Sequence, residues 1–401
     1  MIYDFEYFWS TRRVIGTDCV KKVGVKLKED GAHVVMLHYG GGSYLETTGL
    51  LPDLKASLEE AGIRYVELGG VVPNPRVSLV RKGIAVVKEE KVDYILAIGG
   101  GSAIDSAKGI SLGAIYDGDV WELFDGSARL TDWSNAIPIS AIVTYPATGS
   151  EAGWATVIRN EEVLQKWALW DQALRPHYAF LDPKYTMTLP HKLLINGIAD
   201  IMSHHTDRYM SDDAHFGLFD NILESAMRYL HSDLAPVVLD PKKNNLDDRR
   251  ELMAIADVGC DEFIAWGRHK ENASHSIAHQ IGALYDTLHG STLTMIYCSW
   301  LTYVLDDNVE RIARWAEKVW GVEPNTQNPR ETALKGIGKL KEWYRELGMP
   351  TCFADLDLHP TDDEIERMSA MAVSCGANGM IGVMKKLSKE DVAQIYRNAL
   401  S

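Results

Sequence analysis

Through the first half of the chain, short apolar runs alternate with longer segments whose apolar residues return every three or four positions. His33 to His38, Tyr65 to Leu68 and Asp93 to Ile98 have the length and near-continuous apolar character of strands buried on both faces. Leu50 to Ala61, Arg76 to Glu90 and Ala103 to Gly113 have helical spacing. Alternation of this kind predicts a parallel sheet covered by helices on both faces. Pro138 to Thr144 and Tyr178 to Leu181 add further strands. After Pro190 the strand signals give way to amphipathic helical runs, among them Leu218 to Leu230, Arg249 to Trp266 and Arg330 to Glu346. The expected organisation is an α/β domain with a parallel sheet over residues 1–187, then an all-α domain over 188–401, with the break at Thr188 to Pro190.

The apolar run Tyr94 to Ile98 ends in Gly99-Gly100-Gly101, followed by Ser102-Ala103-Ile104-Asp105-Ser106-Ala107-Lys108. Glycines at the end of a buried strand let backbone N–H groups approach a diphosphate, and the N-terminus of the next helix adds partial positive charge. Ser102 is placed to cap that helix, with Asp105 three residues on as its capping-box partner. The spacing is not G-x-G-x-x-G, so an ordinary glycine-rich turn stays open as the other reading.

The second half carries Asp200 and His204, then His275, His279 and His289. The first two are four residues apart, as are His275 and His279, so each pair shares one face of a helix. A carboxylate and several imidazoles gathered in a helical domain suit Fe²⁺ or Zn²⁺, whereas Mg²⁺ and Ca²⁺ prefer oxygen shells. Buried histidines that only satisfy hydrogen bonds produce the same spacing.

Taken together, these motifs resemble those of the iron-containing (group III) alcohol dehydrogenases, in the branch of NADP(H)-dependent butanol dehydrogenases and broad aldehyde reductases. The resemblance rests on YGGGS (Tyr39 to Ser43), PNP (Pro73 to Pro75), GGGSAIDSAK (Gly99 to Lys108), PATGSE (Pro146 to Glu151), LDPKYTMTLP (Leu181 to Pro190) and the Asp/His set, in that order. It implies the two-domain, dehydroquinate synthase-like fold of that family. It also implies metal-dependent hydride transfer between a nicotinamide nucleotide and an aldehyde or primary alcohol such as butanol. The ligands it implies are Asp200, His204, His275 and His289. His279 would be a catalytic residue near the nicotinamide, with Asp105 as the second candidate, and His205 a polar neighbour of the centre. The implied cofactor contacts are Gly40, Gly41, Gly42, Ser43, Asn74, Gly99, Gly100, Gly101, Ser102, Asp105, Thr144, Thr148 and Lys166. Lys166 follows a stretch with no firm motif, and a solvated surface lysine is its alternative.

Folds selective for NAD place an acid after an early strand, where it binds the adenosine ribose and repels a 2′-phosphate. After Tyr39 the chain has no acid until Glu46, so NADP(H) is expected over NAD(H). Two residues depart from the family pattern. Gln280 follows His279 where the branch often has an acid, and Trp154 after TGSE either narrows a substrate pocket or joins the core. The same fold hosts glycerol-type polyol dehydrogenases, and a catalytically silent nucleotide- and metal-binding regulator is the alternative from another class.

Composition narrows the partners. At 401 residues, with 46% apolar and 24% charged residues, the chain can fill two ordinary domains. Its formal net charge of -15 disfavours nucleic acid and anionic membrane as partners, so an anionic cofactor needs a local site. Cys19, Cys260, Cys298, Cys352 and Cys375 have no C-x-x-C spacing and read as reduced thiols; with no signal-like N-terminus, a cytoplasmic protein is expected. The alternating apolar residues of Phe5 to Gly16 suggest an edge strand at a subunit interface and hence a homodimer.

Overall fold

A computed structural model describes residues 6, 8–41, 43–212, 216–260, 262–374 and 376–401. Gly42, one of the expected cofactor contacts, lies outside the described residues, as does Cys375. In chain order the strands are β1 (Arg12–Ile15), β2 (Val34–Tyr39), β3 (Arg64–Leu68), β4 (Tyr94–Gly99), β5 (Ile139–Val143), β6 (Ala155–Asn160), β7 (Gln165–Trp170) and β8 (Tyr178–Leu181). Six form one sheet in the order β1-β8-β5-β4-β2-β3, with every pairing parallel. All five strands anticipated from the apolar runs are in it, displaced by no more than a residue or so at either end.

Side-chain alternation explains why these runs read as continuous. Val35, Leu37, Leu96 and Ile98 pack into one core, and Met36, Ile95 and Ala97 into another. A strand buried on both faces has no polar side to show. The helices Leu50–Glu60 and Val77–Glu90 take opposite faces: Leu54 and Leu58 join the first core, Val80 and Val87 the second. The chain passes from β2 to β3 on one side and then returns to β4 on the other side of β2. That reversal is a topological switch point, where loops at the carboxyl ends of the strands diverge and leave room for a ligand.

By packing, the described residues divide into two units, residues 8–193 with 241–260, and Leu194–Asp240 with the chain beyond residue 260. The first therefore includes a helix from the second half of the sequence, Leu246–Cys260. Its Met253 packs on Val143 and Leu181, and its Asp257 accepts a 2.9 Å hydrogen bond from Arg13 Nε. The helix expected to run to Trp266 ends at Cys260, and a short 3-10 turn, Glu262–Ala265, follows. The other unit is helical, built on His191–Tyr209, Leu218–Tyr229, Ala273–Tyr285, His289–Val304, Val309–Trp320, Pro329–Glu346, Asp362–Ser374 and Lys389–Asn398. An α/β fold followed by helices is thus what the structure has. Among the described residues no helix is long and apolar enough to cross a membrane.

The hairpin β6–β7 was not anticipated. Its strands pair antiparallel, and Arg159 N also donates to Pro75 O at 2.8 Å, fastening the hairpin to the PNP segment. Of the expected edge strand Phe5 to Gly16, Phe5 and Tyr7 lie outside the described residues, and the strand present is the shorter β1, Arg12–Ile15, which pairs with β8 of its own chain.

His38 sits on β2 with no exposure, its Nδ1 2.9 Å from Leu68 O and its Nε2 2.8 Å from Ser106 Oγ. Burial lowers its pKa to about 4. An imidazole whose folded pKa lies below its unfolded value stabilises the fold fully above the unfolded pKa, and that stability is lost as pH falls toward the folded one. His38→Gln should therefore flatten the pH dependence of unfolding free energy between about pH 6.5 and 4, by about 3 kcal/mol at most. Urea titrations at several pH values measure this, and an unchanged slope would exclude the assignment.

Candidate active site

The helix His191–Tyr209 presents Asp200, His204 and Asp207 on one stripe, since four and seven residues are about one and two turns. Asp200 Oδ1 lies 3.5 Å from His204 Nε2 and 3.7 Å from His289 Nε2. Ligand atoms of Asp200, His275 and His289 lie within 4.8 Å of one another. The His204 and His275 rings are 4.5 Å apart between centroids, and those of His275 and His289 5.4 Å. The four residues named from the resemblance therefore come together. His279, half-buried, stands next to them with its ring 5.3 Å from that of His289.

Both His204 nitrogens and His275 Nε2 are buried with no hydrogen-bond partner. Burial, and then the neighbouring His275, hold the His204 pKa well below the ordinary imidazole value, so it stays neutral with a lone pair. Imidazoles and a carboxylate aimed at one point are the donor set of a divalent transition-type cation. His205 projects elsewhere: its Nδ1 is 2.9 Å from Ile201 O, and burial lowers its pKa to about 4.

Two further helices are brought in by close contact. Gly290 follows His289, and a Cβ there would lie 2.4 Å from Asn196 O, so only glycine lets this helix meet His191–Tyr209 so closely. Ser291 Oγ donates to Asn196 Oδ1 at 2.9 Å beside it. His275 lies in the first turn of Ala273–Tyr285, whose preceding residue pair is organised by Glu271. Glu271 is buried and accepts from four backbone amides, Asn272 and Ala273 on Oε1 and Val383 and Met384 on Oε2, each at 2.9 Å. His275 Nδ1 is 2.7 Å from Asp207 Oδ2, a contact the sequence reading missed although Asp207 stands seven residues after Asp200.

The glycine turn in the α/β unit is equally specific. The helix after β4 begins at Gly101, with Gly100 as its flanking residue, so Ser102 lies inside the first turn and does not cap it. A Cβ on Gly101 would meet Thr148 Oγ1 at 2.5 Å, and one on Gly100 would meet Tyr145 Cδ1 at 2.8 Å. The Thr144–Gly149 stretch thus seats on the turn, with Thr144 N donating to Gly99 O at 2.9 Å and Tyr44 OH 2.6 Å from Thr144 Oγ1. Asp105 is not a capping-box partner. Its carboxylate accepts from Ser150 Oγ at 2.7 Å and Val157 N at 3.2 Å, and burial raises its pKa.

Lys108 is fully buried, with Nζ 2.8–3.0 Å from four oxygens, those of Ser150 O and Oγ, Gly153 O and Ala155 O. The motif GGGSAIDSAK contained it, but nothing in its spacing distinguished an interior lysine from a solvated one. Lys166 is buried on β7 and donates to Asn74 Oδ1 at 2.9 Å, so it is not the surface lysine of the alternative reading. Asn74 holds a φ of 55°, a left-handed conformation asparagine tolerates. Gly40, Gly41 and Ser43 follow β2, at the end of the sheet where the Gly99–Gly101 turn follows β4.

Residues 10–183 match the family described as iron-containing alcohol dehydrogenase, and residues 194–400 match the Fe-containing alcohol dehydrogenase family, C-terminal. A Bacillus subtilis protein named probable NADH-dependent butanol dehydrogenase 1 is 34% identical over 397 residues, covering 99% of this chain and 100% of its own. The NADPH-dependent aldehyde reductase YqhD of Escherichia coli is 28% identical over 357 residues, 88% of this chain and 89% of its own. The crystal structure of an NADH-dependent butanol dehydrogenase A from Thermotoga maritima is similar with a TM-score of 0.92 at 31% identity, covering 100% of this chain and 99% of that one.

Removing the Lys108 ammonium strands oxygens it now satisfies. Lys108→Met should lower the unfolding free energy by about 2–4 kcal/mol and weaken nicotinamide nucleotide binding, while Lys339→Met on the surface changes neither. Urea unfolding and fluorescence titration with the nucleotide read both effects. A Lys108→Met protein as stable as wild type would contradict the buried network.

Proposed function

The chain belongs to the iron-containing alcohol dehydrogenase family, and on that premise we propose metal-dependent hydride transfer between NADP(H) and short- to medium-chain aldehydes or primary alcohols such as butanol. The observation that carries the reading is the convergence of Asp200, His275 and His289 ligand atoms within 4.8 Å, with His204 against them. Asp200, His204, His275 and His289 hold the cation. A divalent ion bound there, Fe²⁺ or Zn²⁺, supplies Lewis-acid polarisation of a carbonyl or alcohol oxygen, and the nicotinamide supplies or takes the hydride. His279 moves the proton to and from the substrate oxygen, an imidazole being suited to transfer near neutral pH.

Gly99, Gly100, Gly101 and Ser102 bind the diphosphate through backbone amides at a helix N-terminus. Asn74 and Lys166, joined by their hydrogen bond, contact the nucleotide together, and Thr144 and Thr148 line the same turn. Asp105 accepts from Ser150 and Val157, which sets it as a positioning residue for this loop, with a lone pair on each oxygen left for a contact to the cofactor. Gly40, Gly41, Gly42 and Ser43 accept the 2′-phosphate. The preference for NADP(H) rests on the lack of an acid between Tyr39 and Glu46; among relatives the names divide, NADH for the Bacillus protein and NADPH for the Escherichia coli one. A homodimer is part of the same proposal. Among the described residues β1 pairs only with β8, and a second copy can extend that edge.

Purified protein given butanal should consume NADPH with kcat/KM about tenfold or more above that for NADH. Exhaustive chelation or His204→Ala should reduce the rate about 100-fold or more, and Fe²⁺ or Zn²⁺ should restore the chelated enzyme but not the variant. A rate indifferent to chelation would exclude the metal-dependent mechanism. His279→Ala should lower kcat about 100-fold with metal content retained and should alter the pH profile, and an unaltered profile would remove the proton-transfer role.

A further inference from the structure

We propose that Asp207 is a positioning residue that fixes the tautomer of His275 and so sets the metal affinity of the centre. The inference rests on the metal-binding reading of Asp200, His204, His275 and His289 given above, and adds a residue that reading does not use.

Asp207 has no exposure and lies two turns beyond Asp200 on the same helix. Its carboxylate receives three side chains. Ser274 Oγ donates to Oδ2 at 2.6 Å, His275 Nδ1 lies 2.7 Å from the same oxygen, and Tyr297 OH donates to Oδ1. A carboxylate only accepts hydrogen bonds, so the contact places the proton of a neutral His275 on Nδ1. Nε2 is then left as a lone pair, and Nε2 is the buried His275 nitrogen that has no hydrogen-bond partner. The opposite tautomer would put a proton where the cation binds. Ser274 and Tyr297 hold the carboxylate from two other helices, Ala273–Tyr285 and His289–Val304, so its orientation is set by all three elements that carry the proposed ligands.

Asp207→Asn tests this with little change of shape. An asparagine amide can donate to Nδ1 and stabilise the Nε2–H tautomer, which competes with the cation. Zn²⁺ affinity of the metal-free protein, measured by competition with a chromogenic chelator without nucleotide or substrate, should fall about 10–100-fold in Asp207→Asn. Ser274→Ala, which leaves the His275–Asp207 contact in place, should fall less, and His275→Ala should fall further than either. Isotope-labelled histidine NMR of the metal-free wild-type protein supplies a readout that needs no Asp207 variant to fold. The resonances missing from His275→Ala should be those of an imidazole protonated at Nδ1. Asp207→Asn affinity within about twofold of wild type, or an Nε2-protonated His275 in the wild type, would overturn the inference while leaving the metal centre intact. Unreduced Zn²⁺ affinity in His275→Ala would instead overturn the metal centre, and this inference with it.

Discussion

A carboxylate taken out of water among imidazoles is a deficit that the rest of the helical unit must be rigid enough to carry. Asp200 is 2% exposed, with His204 and His289 at ion-pair distance. Burial keeps His204 neutral, so the pairing that would relieve the carboxylate by protonating an imidazole is opposed by the same desolvation. The helices therefore bring together groups that prefer a cation to each other. A flexible scaffold would let them turn to solvent or to backbone carbonyls; here the packing does not permit it.

That rigidity comes from contacts at the first turns of two helices. His289 opens its helix, and Gly290 beside it lets the backbone close on Asn196, four residues before Asp200. His275 lies in the first turn of Ala273–Tyr285, and Glu271 just before that helix ties its amides to those of Val383 and Met384. Glu271 N in turn donates to Asp207 O and Met210 O, so the start of one ligand-bearing helix is fastened to the end of another. Helix ends otherwise fray, and here the first turns are held by these contacts from outside the helix. Placing ligands there removes much of the conformational freedom they would otherwise lose on binding a cation.

Much of this was legible in the sequence where one periodicity decided the matter. Strands buried on both faces leave long apolar runs, and helical spacing puts Asp200 and His204 on one face, the ligand set itself being implied by the family resemblance. What escaped was charge in the interior. Lys108, Lys166, Asp207 and Glu271 are buried, yet each is a residue type that local sequence assigns to solvent. The hairpin β6–β7 escaped for a related reason. Its buried positions include Arg159, Asn160 and Lys166, and its turn has no glycine, Leu164 instead adopting a φ of 52°. The misplaced cap at Ser102 shows the limit of a local motif: the helix starts two residues earlier, at Gly101, where a Cβ would meet Thr148, a residue 47 positions away in the chain.

Lys108 and Glu271 are two solutions of one problem with opposite sign. The ammonium gathers three carbonyls and a hydroxyl from the 150–155 segment; the carboxylate gathers four amides from two segments. In each case an irregular stretch that an apolar core could hold only loosely is fixed by an ion whose every bond is directional. Replacing either ion alone would leave the groups it satisfies unpaired, at a cost in stability. The same bonds fix geometry. A leucine at 108 would fill the same volume and leave the loop free to choose among several packings, whereas the ammonium accepts only the one that brings all four oxygens to it. The loop it fixes is the one seated on the glycine turn, and the helix Glu271 caps carries His275. The interior charges are spent where a shift of an ångström would matter to bound ligands, in a chain whose surface carries an excess of acid and whose anionic cofactor must be held by local geometry.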